Sequence, residues 1–142
     1  MGTFKSVTNI ILNWFEGSGT INQVTSGDIQ EVDLSTHTEF PLSHVIYLNT
    51  TYNPGYNTYN YQILLLDTFN EATDERIDII DVMNEVATQF VSACNNGSIF
   101  NSQIRITIAP NGEIMYDQLQ NRLYGISLTI SLQVPTGIIN CG

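Results

Sequence analysis

Leu123 to Val134 reads LYGISLTISLQV. Tyr124, Ile126, Leu128, Ile130, Leu132 and Val134 fall on one side of an extended chain, and Gly125, Ser127, Thr129, Ser131 and Gln133 fall on the other. Successive side chains of a strand point to opposite faces, so this unbroken period of two predicts a strand with one apolar face. Strands usually run to about 5–6 residues, so one this long should span a whole sheet. The rest of the chain must then pair with this strand or cover its apolar side.

Tyr59 to Phe69 supplies a partner. Ile63 to Leu66 is apolar at every position, which predicts a central strand covered on both faces. Another strand starts at His44 and continues through Val45, Ile46, Tyr47 and Leu48. Thr20 to Leu34 reads as a solvated edge strand, because Asp28, Glu31 and Asp33 would discourage unwanted pairing. Gln103 to Ala109 predicts a strand with Ile104, Ile106 and Ile108 inward and Arg105 and Thr107 outward. Pro110-Asn111-Gly112 is a tight-turn signal, with a hairpin return expected through Glu113 to Tyr116.

Two segments have helical periodicity. In residues 4–16, Phe4, Val7, Ile10, Ile11, Trp14 and Phe15 share one side, Thr3 is a candidate cap, and Gly17-Ser18-Gly19 ends the helix. Its amphipathic face could lie on the sheet or be shared with a neighbouring subunit. A longer helix is expected after a cap at Thr73 or Asp74, ending at Asn95-Asn96-Gly97. Ile77, Ile80, Met83, Ala87, Phe90, Val91 and Cys94 form its apolar stripe, widened by Ile79, Val82 and Val86. Covering a sheet takes only about 100° of a helix, so that width implies a second packing partner, either the first helix or another subunit. Asp78, Asp81, Glu85, Gln89 and Ser92 should face water. These elements compose an α+β domain over residues 1–142, with a mostly antiparallel sheet, an N-terminal helix and one long central helix packed on it. Residues 135–142 read as a tail, loose or docked on a neighbour.

The chemistry is sparse. The net charge is −10, from 14 acids against 4 bases, which argues against binding nucleic-acid phosphates or anionic membrane surfaces. No apolar run is long enough for a membrane span, and the residues from Met1 to Gly17 make a poor signal peptide. Met1-Gly2 with Ser6 fits a myristoylation pattern superficially, but Phe4 onward reads as an ordinary helix. Cys94 and Cys141 are read as two free thiols. His37, Glu39 and His44 would have to converge to do acid–base or metal work, and no nucleophile stands at a recognised spacing. Asp28, Glu31 and Asp33 lack the spacing of an EF-hand calcium loop. Neither an enzyme nor a cofactor is expected.

Asn49 to Asn60, NTTYNPGYNTYN, is the most unusual composition in the chain. Pro54-Gly55 fits the centre of a type II turn, so a long hairpin loop or an extended arm is expected. Tyr52, Tyr56 and Tyr59 set among asparagines resemble the composition of adaptable protein contact surfaces. A plain surface loop whose tyrosines lie back on the fold remains the alternative.

The ending NRLYGISLTISLQVP, the helix DERIDIIDVMNEVATQFV before it and the amphipathic start FKSVTNIILNWF resemble small neck, tail-completion or tail-terminator proteins of tailed bacteriophages. The resemblance covers most of the chain and rests on its pattern of aromatic and apolar residues. It implies a structural virion protein, assembled in the bacterial host cytoplasm and forming a homo-oligomeric ring, six- or twelvefold, with other neck or tail proteins as partners. It carries no catalytic motif. On this view Tyr52, Tyr56, Tyr59, Phe4, Trp14 and Phe15 are candidate subunit or partner contacts. Asp28, Glu31, Asp33, Asp78, Asp81 and Glu85 are candidates for an acidic lumen that would repel passing DNA. The alternative is a small-ligand or peptide-binding α+β module using the tyrosine-rich loop as its rim.

Overall fold

A computed structural model describes residues 4–27, 41–68, 76–95, 104–109, 112–118 and 123–135. Among the described residues, the elements in chain order are α1 (Phe4–Glu16), β1 (Gln23–Ser26), β2 (Leu42–Asn53), β3 (Tyr56–Thr68), α2 (Arg76–Asn95), β4 (Arg105–Ile108), β5 (Glu113–Gln118) and β6 (Leu123–Pro135). The fold is α+β: a six-stranded, mostly antiparallel sheet with an N-terminal and a central helix. The sheet runs β1-β2-β3-β6-β4, and β5 also pairs with β6. The β1–β2 pair is parallel, and the other pairs are antiparallel.

The alternating segment is the sheet's axis. β6 pairs with β3 along its full length, from Tyr56↔Pro135 to Thr68↔Leu123. Ile126, Leu128, Ile130, Leu132 and Val134 are buried in one core with Tyr59, Tyr61, Ile63 and Leu65 of β3. Ile63, Leu64, Leu65 and Leu66 are all fully buried, so β3 is covered on both faces. Gly125 is required by close approach. A Cβ there would overlap the carbonyl oxygen of Leu65 and lie 3.0 Å from the Leu66 Cα.

α1 lays Val7, Ile11 and Phe15 into the core at intervals of four, the helical repeat that keeps side chains on one face. Thr3, its candidate cap, lies outside the described residues, as do Thr73 and Asp74 before α2. Gly17 N–H donates to the Asn13 carbonyl at 3.0 Å, and Ser18 N–H donates to that of Phe15 at 3.1 Å, closing the last turn. α2 buries Ile79, Met83, Val86, Ala87, Phe90 and Cys94. The sequence stripe is thereby corrected by a rotation of the helix. Ile79 and Val86 are core, whereas Ile77 is 69% exposed and Val82 40% exposed. On the buried side of α2, the Trp14 and Phe15 rings of α1 both meet Phe90. The second packing partner of the broad apolar face is therefore the first helix.

The expected hairpin at Pro110-Asn111-Gly112 is not formed. β4 and β5 run in the same direction along one edge of β6: Ile108 pairs with Ile130, and Glu113 pairs with Ser127. Five residues separate Ile108 from Glu113, against three between their partners Ile130 and Ser127; Pro110 and Asn111 lie outside the described residues. Ala109 N–H still donates to the Thr129 carbonyl at 2.9 Å. A hairpin return would have left the 123–127 stretch of β6 unpaired on that side, whereas running on satisfies its backbone groups.

Asn49 to Asn60 is likewise strand rather than loop. β2 continues to Asn53, β3 begins at Tyr56, and Pro54-Gly55 alone makes the turn. Gly55 has φ +84°, as the third position of a type II turn demands. Proline fixes φ near −65°, which excludes the primed turns that two-residue hairpins otherwise favour. The edge-strand expectation for residues 20–34 holds for β1, while 28–34 lies outside the described residues.

Candidate functional site

Three surfaces stand out. The first is the aromatic side of the β2–β3 hairpin, where it meets the start of α1. Phe4 sits on a base of three tyrosines: its ring is 4.3 Å from Tyr47, 5.6 Å from Tyr59 and 6.0 Å from Tyr61, stacked parallel on the last. The Tyr61 hydroxyl is 2.7 Å from Thr8 Oγ1. Burial pushes the Tyr61 phenol up to about 12, with smaller raising effects from Tyr47 and Tyr59, while the bond to Thr8 acts in the opposite direction. Tyr47 is also hydrogen-bonded to Thr50. Between Tyr47 and Asn49 the pairing shifts by one residue, so Leu48 is a bulge and is 45% exposed. Farther along, Tyr52 is 78% exposed.

The sequence-derived contact residues therefore divide. Tyr52 lies open, Phe4, Trp14 and Tyr56 are partly exposed, and Tyr59 and Phe15 are buried in this chain's own core. The last two cannot serve as free anchors. Tyr59 shares with Tyr61 the face of β3 that enters the core, and Phe15 lies on the inner side of α1, so intrachain packing reaches both first.

The asparagines of the ribbon act across strands on the opposite face. Asn60 Nδ2 donates to Asn49 Oδ1 at 2.6 Å, and Ser131 Oγ donates to Asn60 Oδ1 at 2.5 Å. Gln62 Nε2 donates to Ser127 Oγ at 2.8 Å. Cross-strand polar pairs of this kind add to sheet stability.

The second surface is the exposed side of α2, which carries Asp78, Asp81 and Glu85. Asp28, Glu31 and Asp33 lie outside the described residues. The third is a groove of about 670 Å³ between α2 and the β4–β5 edge, with Ile126 and Leu128 as its floor. Ile77, Ile80, Thr88 and Val91 line one wall and Ile108, Ala109 and Gly112 the other. The groove lies between α2 and a strand edge distant from it in the chain, a placement that a period-based reading of the sequence does not fix.

The histidine set does not offer acid–base geometry among the described residues. His44 is fully buried in the sheet, with Nδ1 2.6 Å from Thr25 Oγ1 of β1. His37 and Glu39 lie outside the described residues. Among those described, no group of three or more His, Cys, Asp or Glu side chains could hold a metal. No described helix is long and apolar enough to cross a membrane. Cys94 is buried, which pushes its thiol up to about 12. No protein-family model matches this sequence, and no curated protein matches it either.

Proposed function

We propose that this chain is a structural component of a tailed-phage virion that forms or completes an oligomeric ring at the head–tail neck or the tail terminus. A ring is closed by a heterologous interface, which requires two different surfaces on each subunit. The observation that carries the reading is the separation of two such surfaces: an uncharged, aromatic hairpin with Tyr47, Leu48 and Tyr52 exposed, and an acidic helix side with Asp78, Asp81 and Glu85 exposed. The aromatic ribbon would meet a neighbour or another neck or tail protein. The acidic side would face the lumen, where the −10 charge of each subunit, multiplied around a ring, would keep passing DNA from adhering. The role is non-enzymatic, needs no cofactor or membrane, and would be exercised in the virion after assembly in the host cytoplasm.

Light scattering combined with negative-stain imaging of the purified protein tests this reading. Closed rings, formed alone or on adding virion proteins, are the expected result. A strict monomer that makes no ring with any partner would overturn it. A second reading, a small-ligand or peptide-binding module, is favoured by the groove beside α2 rather than by the tyrosines. It predicts a monomer whose Thr88 and Val91 amides shift on binding.

A further inference from the structure

β1 covers β2 only from Leu42 to Val45. From Ile46 to Asn53, no described strand pairs with the outer side of β2. An open strand edge presents unpaired N–H and C=O groups, and proteins usually protect such edges with charges, prolines or short length. Among the described residues this edge is open over Ile46–Asn53, and no Asp, Glu, Lys or Arg occurs from Ser43 to Leu66. Its one guard among those residues is the bulge at Leu48.

We infer that this edge pairs with the same edge of a second copy, antiparallel over Asn49 to Asn53, beyond the bulge. The charge distribution singles out a second copy. Two chains of net charge −10 repel wherever carboxylates meet, and this edge brings none together. An antiparallel strand is also self-complementary about a twofold axis, so one surface suffices. With the axis at Thr51, each Tyr52 stands across from the other copy's Thr50, on the face where Tyr47 already bonds Thr50. That contact would cover the most exposed aromatic side chain among the described residues. The pairing uses the same hairpin as the ring reading, but joins like to like about a twofold axis, whereas the ring needs two unlike surfaces.

Sedimentation across a concentration series, with hydrogen exchange on the same samples, tests the pairing. The expected species is twice the 15.9 kDa chain mass, with amides 49–53 slowing as concentration rises. Thr51→Lys sets two like charges directly opposite and should weaken association by ~tenfold or more. Thr51 is exposed, so the monomer fold should survive, and circular dichroism checks this. A monomer with fast-exchanging 49–53 amides at the highest concentration overturns the pairing, as does an assembly that Thr51→Lys leaves unmoved. Rings whose 49–53 amides stay open would sink this pairing and spare the ring reading. A twofold dimer that never forms rings would do the reverse.

Discussion

The ring of Phe15, near the end of α1, stacks on the ring of Phe90 in α2 with centroids 4.8 Å apart and planes 28° from parallel. Both rings are fully buried, and Trp14 meets Phe90 edge-on at 5.1 Å. This joint connects two helices far apart in sequence on the buried side of α2. Phe90→Ala should therefore lower stability by about 3–5 kcal/mol, the usual cost of a large buried aromatic truncation. Urea denaturation of the two proteins measures the difference.

Gly125→Ala should cost about 3 kcal/mol or more, at the upper end of overpacking penalties. The obstruction is the backbone of Leu65 and Leu66, which cannot step aside without disturbing the β3–β6 pairing. The same urea experiment checks it, and a neutral result would show that β6 can shift locally.

Ser43→Ala should stabilise the protein by about 1 kcal/mol, because the substitution removes a buried hydroxyl that lacks a partner. Ser43 Oγ is fully buried and has no hydrogen-bond partner among the described residues. Thermal melting of the variant should rise accordingly.

Tyr61 and Cys94 both bear on alkaline stability. Each is an acid whose folded pKa is raised to about 12 by burial. The unfolded chain thus loses these protons first, at pH about 10 for Tyr and about 8.5 for Cys. Their stabilising contribution is complete below those values and is lost as pH rises toward 12. Denaturation midpoints should fall over that window, and Tyr61→Phe should reduce the fall above pH 10.

Native Cys94 should resist alkylation at pH 8, since the thiolate is the reactive form and burial suppresses it. Peptide mapping after iodoacetamide treatment should find Cys94 modified only when denaturant is present.

The sequence by itself determined what depends on local periodicity. The alternation of 123–134 became β6, the unbroken apolar run Ile63 to Leu66 became a strand buried on both faces, and Val7, Ile11 and Phe15 became the inner side of α1. Pro54-Gly55 made a turn because proline fixes φ and glycine tolerates the positive φ that follows. The composition that marked Tyr52, Tyr56 and Tyr59 together as candidate contacts did not separate the exposed Tyr52 from the buried Tyr59. Tertiary structure alone decided the strand order, the onward course of β4 into β5, the rotation of α2, the burial of Tyr59 and Phe15, the groove beside α2 and, among the described residues, the edge of β2 that no strand pairs. A side-chain pattern says which face of an element is apolar. It does not say which of several apolar faces reaches the interior, or which backbone edge goes unpaired, because those outcomes are settled by competition among residues distant in the chain.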